Sequence, residues 1–139
     1  MKNRRNFIKT GIMVSMGVLT AGSLPAGNRD GGIFDFTPKG LIYTKEQPGM
    51  WKNKAESHVP KVSIEGRKIK LTTEHGMSEA HYIVRHTLVT GEGKVIGGKT
   101  FTPADEPVSV YEIPEGYHGT LYATSFCNKH DFWVNIFEI

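Results

Sequence analysis

The chain holds one cysteine, Cys127, and Asn128 and Lys129 are all that separate it from His130, in the stretch SFCNKHDFW at 125–133. A thiolate serves as a nucleophile or as a metal ligand, and either use needs partners. No other part of the chain offers the base and orienting group that a catalytic thiol requires. What it offers instead is histidine: His58, His75, His81, His86, His118 and His130. His58 stands just before Val59-Pro60, His75 and His81 bracket the loop GMSEA, and Cys127 and His130 bracket a two-residue turn. These five fall at strand boundaries or in loops, where ligands can converge without breaking a sheet. Four imidazoles and one thiolate exceed the four ligands of a structural zinc site. They suit iron or copper, both of which accept the two donor types together. A blue-copper site would expect a downstream methionine, but none follows Met77, and it would leave two histidines unused.

The elements that must position these residues read as β. KVSIEGRKIKLTT alternates on either side of a Glu65-Gly66 turn signal, and HYIVRHTLV at 81–89 stops at TGEG before KVIGGKTF. PVSVYEI, TLYATSF and FWVNIFEI bring the count to about seven short strands at regular spacing. The spacing predicts an all-β sandwich or small barrel of the immunoglobulin-like kind. Strand alternation puts Tyr82, Val84, His86 and Leu88 on one face, so His86 reads as a packed histidine and not as a ligand. His118 lies in the turn EGYHGT and reads as exposed. The same parity groups Cys127 with Leu121, Ala123 and Ser125, a small and mostly apolar surrounding for sulfur.

The charge balance excludes a nucleic-acid surface. The formal net charge is +3, but residues 1–26 carry Lys2, Arg4, Arg5 and Lys9 and no acid. Removing those four from seventeen basic residues leaves thirteen against fourteen acids, a nearly neutral remainder. The leader pairs Arg4-Arg5 with the apolar run GIMVSMGVLTAG and small residues near Ala26, which reads as a signal peptide of the twin-arginine type. The run is shorter than the roughly 20 residues that span a bilayer. Export to the periplasm or another extracytoplasmic space is expected. Residues 27–50, rich in Gly, Pro and charge, read as a linker or irregular arm, and 51–139 as the functional domain. A lone thiol in an oxidising compartment is vulnerable unless buried or bound, which points again to a ligand role.

From about Trp51 onward these residues resemble the superoxide reductases, the iron-containing domain of the desulfoferrodoxin and neelaredoxin family. The resemblance rests on ESHVP at 56–60, where the family has Glu-Lys-His-Val-Pro, on HGMSEAHYI at 75–83 and on CNKHDFW at 127–133. It implies one mononuclear non-haem iron, with His58, His75, His81 and His130 as equatorial ligands and Cys127 as the axial thiolate. It also implies that Glu56 matches the glutamate that closes over the oxidised iron. The implied activity is the one-electron reduction of superoxide to hydrogen peroxide, with the electron drawn from an external donor such as a rubredoxin-like protein. With one cysteine the chain has no Cys-x-x-Cys unit for a second iron centre. Further copies of the chain are compatible partners. The sequence leaves the family pattern twice. Ser57 replaces the lysine that attracts superoxide, with Lys54 and Lys129 as candidates to supply that charge, and Asp131 replaces a glycine. An exported electron-transfer or metal-sensing iron protein on this scaffold, or a cupredoxin-like copper carrier, is the alternative reading.

Overall fold

The computed structural model describes residues 39–139; the leader at 1–26 and the first half of the 27–50 stretch lie outside them. The described residues form eight strands: β1 (Ile42–Tyr43), β2 (Lys61–Glu65), β3 (Lys68–Thr72), β4 (Ile83–Thr90), β5 (Val95–Thr100), β6 (Val108–Glu112), β7 (Thr120–Cys127) and β8 (Asp131–Glu138). They build two sheets, ordered β1-β8-β7-β4-β5 and β2-β3-β6. Only the β1–β8 pairing is parallel. The all-β architecture matches the expectation from strand spacing, and seven of the strands are those the alternation marks. The eighth, β1, is too short to show a period. It forms because Tyr43, 2% exposed, lays its ring 5.4 Å from that of Trp133.

Alternation explains the core. In β3, Lys68 and Lys70 point to solvent while Ile69 and Leu71 are fully buried. They meet Leu88, Leu121 and Ala123 from the other sheet, with Ile113 completing the cluster. Burial of a side chain the size of Ile or Leu contributes roughly 1.5–3 kcal/mol, so this cluster clamps one sheet to the other.

Near the end that carries the histidines, the alternation expected for β4 fails. Ile83 is buried at 0% and pairs with Cys127, whereas Val84 is half-buried. Arg85 pairs with Phe126 and His86 with Ser125, so Val84 is an extra residue opposite nothing. This bulge switches the parity of the strand. Downstream of it His86 and Leu88 face inward as expected; upstream Ile83 faces inward in place of Tyr82 and Val84. Before β2 the chain makes a 3-10 segment, Gly49–Lys54, and a single helical turn, α1 (Ala55–His58). Pro60 disfavours helical backbone at Val59, which is extended, and the chain passes directly into β2.

Candidate metal centre

Four separate elements bring the five residues together. His58 ends α1, His75 and His81 flank the loop between β3 and β4, Cys127 ends β7, and His130 sits in the turn to β8. His58 Nε2, His75 Nε2, His81 Nε2, His130 Nδ1 and Cys127 Sγ converge, and the five donor atoms all lie within 4.8 Å of one another. Going round, His58 Nε2 is 2.9 Å from His130 Nδ1, which is 3.0 Å from His81 Nε2, which is 3.1 Å from His75 Nε2.

The rings form a square. Adjacent rings have centroids 4.4–4.8 Å apart and stand at 72–85° to each other. The opposite rings His58 and His81 are 6.1 Å apart and only 29° from parallel. Cys127 Sγ lies 3.7 Å from His130 Nδ1. A sulfur in the plane of the square would be farther than 4.8 Å from its distant corners, so Cys127 sits on one face. Because Cys127 is 1% exposed while His75, His81 and His130 are half-buried, the sulfur takes the inner face and the outer face meets solvent.

This arrangement fits a cation better than a hydrogen-bond network. His58 Nδ1 lies 2.9 Å from the Lys54 carbonyl, which only accepts, so Nδ1 carries the proton and Nε2 presents a lone pair. His130 Nδ1 faces both His58 Nε2 and His81 Nε2, yet one ring nitrogen holds a single proton or a single lone pair. With no cation between them, such nitrogens would turn lone pairs on one another. Ligands at right angles around one cation, with bonds of roughly 2.1 Å, stand about 3 Å apart, which matches the separations found. The protonation states agree. Burial holds His58 down to about 4, with neighbouring imidazoles assisting, and it also holds His75, His81 and His130 below their usual value. Neutral imidazole is the metal-binding form.

Surrounding groups orient the donors. Ser57 Oγ donates to the Lys54 carbonyl and lies 2.8 Å from His58 Nδ1. Trp133 Nε1 donates to the His130 carbonyl at 2.7 Å, and its ring lies 5.6 Å from that of His58. The Lys129 N–H donates to Cys127 Sγ at 3.5 Å. His75 differs from His58: its Nδ1 is buried without a hydrogen-bond partner. The Gly76 backbone favours its charged form without reaching hydrogen-bond geometry to that nitrogen.

The remaining site candidates divide. Lys54 and Lys129 both depress the His81 and His130 imidazoles, and Lys54 also depresses His75, so both ammonium groups act on the cluster. Glu56 does not join it; its exposed carboxylate pairs with Lys45 Nζ at 3.1 Å. His86 is fully buried away from the square, and His118 is exposed.

Two supporting residues escaped the sequence reading. Asn128 Oδ1 accepts the Tyr82 N–H at 3.0 Å and its Nδ2 donates to the Ala80 carbonyl at 3.2 Å, tying the His81 loop to the Cys127 turn. Met77 Sδ accepts the Ile83 N–H at 3.4 Å and packs on Ile83, Phe101 and Cys127. The preference of Asn for hydrogen-bonded turns was the available signal for the first.

The family model described as desulfoferrodoxin matches residues 50–136. A superoxide reductase from Pyrococcus furiosus is 31% identical over 121 residues, covering 68% of this chain and 96% of that protein. Among solved structures, a superoxide reductase (neelaredoxin) from Ignicoccus hospitalis superposes with a TM-score of 0.60 at 28% identity, covering 71% of this chain and 94% of that one. A superoxide reductase (1Fe-SOR) from Giardia intestinalis has a TM-score of 0.56 at 26% identity, covering 60% of this chain and 99% of its own.

Proposed function

Because this chain belongs to the desulfoferrodoxin family, we propose that it is a superoxide reductase: superoxide takes up one electron and two protons and leaves as hydrogen peroxide. The observation that carries the reading is the square of four imidazoles with a cysteine sulfur on its inner face. His58, His75, His81, His130 and Cys127 would hold one iron ion. Bound there, iron supplies a one-electron couple, and a thiolate ligand adds electron density to it.

The rest of the work falls to the protein. Burial keeps the imidazoles neutral and available. The Lys54 carbonyl and the Trp133 indole fix the orientation of His58 and the His130 turn. Lys54 and Lys129 supply positive charge for a small anion approaching the outer face, a role the family lysine would fill where Ser57 stands. Glu56 is one residue from Ser57 on the same helical turn, with Lys45 as its resting partner, and would close over the oxidised centre after turnover. An outside donor of the rubredoxin-like kind would supply the electron, since the one cysteine of the sequence is already among the five donors.

The test is metal analysis followed by rapid mixing. Protein produced with its leader should carry one iron per chain and show a thiolate charge-transfer colour when oxidised. The reduced protein should be oxidised by superoxide much faster than by oxygen; equal rates would sink the enzyme reading. The leader supports export by the twin-arginine route. Changing Arg4 and Arg5 to Lys should retain the protein in the cytoplasm, and continued export would refute that route.

A further inference from the structure

Beneath the centre, four polar side chains are buried together between the sheets. Thr73, His86, Ser109 and Ser125 are each at most 2% exposed. They form one chain: Ser109 Oγ lies 2.9 Å from His86 Nδ1, His86 Nε2 lies 2.8 Å from Thr73 Oγ1, and Thr73 Oγ1 donates to Ser125 Oγ at 3.2 Å. Thr73 directly follows β3 and Ser109 lies in β6, whereas His86 lies in β4 and Ser125 in β7. Every link therefore crosses from one sheet to the other. Apolar side chains would fill this space without the desolvation cost that polar groups carry.

One end of the seam leads to two donors of the centre. The Thr73 carbonyl accepts the N–H of His75 at 2.8 Å, and the Thr73 N–H donates to the Pro107 carbonyl at 3.1 Å. Ser125 precedes Cys127 by two residues on the same inward face of β7. A continuous path thus runs from the His75 backbone through the Thr73 side chain to the strand that ends in Cys127. His75 needs such a path. Its Nδ1 is the one buried side-chain nitrogen or oxygen among the described residues without a hydrogen bond, so its position depends on its backbone.

We propose that the buried Thr73–His86–Ser125 seam is a positioning strut that sets His75 against Cys127, and through that separation sets how tightly the centre holds its metal. The second half of this statement rests on the reading of the five residues as an iron site; the first does not. Thr73→Val keeps the shape of the side chain and removes the hydroxyl, while Thr73→Ser keeps the hydroxyl. Ser125→Ala cuts the same link from its other end.

The experiment uses the full chain in two forms. In the metal-free protein, hydrogen exchange at the His75 amide should quicken in Thr73→Val and Ser125→Ala and return to the parent rate in Thr73→Ser. In protein loaded with ferrous iron, release to a chelator should be roughly tenfold faster or more in the first two variants, the scale of effect expected when a group supporting a ligand is removed. The charge-transfer band of the oxidised form should shift with it, and Thr73→Ser should rescue both. The double variant should be little worse than Thr73→Val alone, because Ser125→Ala cuts only a link that Thr73→Val already removes. If Thr73→Val lowers the unfolding midpoint but leaves His75 exchange, iron release and the band at parent values, the seam is core packing and the proposal falls. If the parent binds no stoichiometric iron, the iron reading fails, and the exchange arm still decides the strut.

Discussion

Asp131 is the one non-glycine residue with positive φ among the described residues, at +63°. That backbone region favours glycine and tolerates Asp better than most side chains. The structure gives this Asp a use: Oδ2 accepts the Trp51 indole N–H at 2.9 Å, and the Trp51 ring stands edge-on to His130 at 4.7 Å. The contact joins the segment bearing Lys54 to the turn bearing His130, across 80 residues of sequence. Asp131→Gly should relieve the strained backbone and lose the acceptor, two effects of about 1 kcal/mol each and opposite sign. Its unfolding free energy should therefore stay near the parent value while the emission of Trp51 shifts; unchanged emission would show that the indole is held without Asp131. Asp131→Asn keeps an acceptor and removes a negative charge beside the centre. It should speed the reaction with superoxide at low ionic strength, with the gain fading as salt rises. Lys54→Gln and Lys129→Gln should do the reverse, and stopped-flow rates across a salt series that fail to separate these variants would remove charge steering from the account.

At the scale of elements, the bulge in β4 does most to shape the site. A strand in perfect alternation cannot point both His86 and Ile83 inward, because they differ by three positions. The extra residue lets Ile83 close over Cys127 while His86 still reaches the seam between the sheets. Ile83→Ala should cost about 2–5 kcal/mol in urea unfolding, as expected for a fully buried aliphatic side chain. Val84→Ala should cost about 1 kcal/mol or less, since Val84 is half-buried and outside the ladder. Equal costs would mean that the strand follows simple alternation after all. The two-residue β1 works in a similar way. Tyr43 packs on Trp133, and Trp133 in turn holds the His130 carbonyl, so a segment with no period of its own supports a site residue.

At the scale of the molecule, the fold keeps titratable groups neutral inside it. His86 is held down to about 4, chiefly by burial and secondarily by Lys99. Unfolded, it would take a proton near 6.5, so between these values the unfolded chain binds more protons than the folded one. The stability from neutral His86 is therefore fully present above pH 6.5 and is lost as pH falls toward about 4, by roughly 3 kcal/mol. Urea unfolding of the metal-free protein between pH 7.5 and 4.5 should show that loss together with the losses from His58 and the other lowered imidazoles, and His86→Gln should make the slope shallower without abolishing it. An equal slope in the variant would assign the loss to other groups.

The sequence by itself determined the strand count within one, the ligand set as candidates and the exclusion of His86 and His118 from it. It could do so because alternation and turn residues are local, and because histidines at strand ends stand out against a β background. Only the tertiary structure decided the parity of β4, since a bulge leaves no mark in the run HYIVRHTLV. It also decided that Glu56 rests on Lys45, that Asp131 takes the Trp51 indole, and that Thr73, His86, Ser109 and Ser125 form one seam. Each of these links residues from 11 to 80 positions apart. Such contacts are set by how the sheets stack and where the loops land, and a one-dimensional pattern does not carry that information.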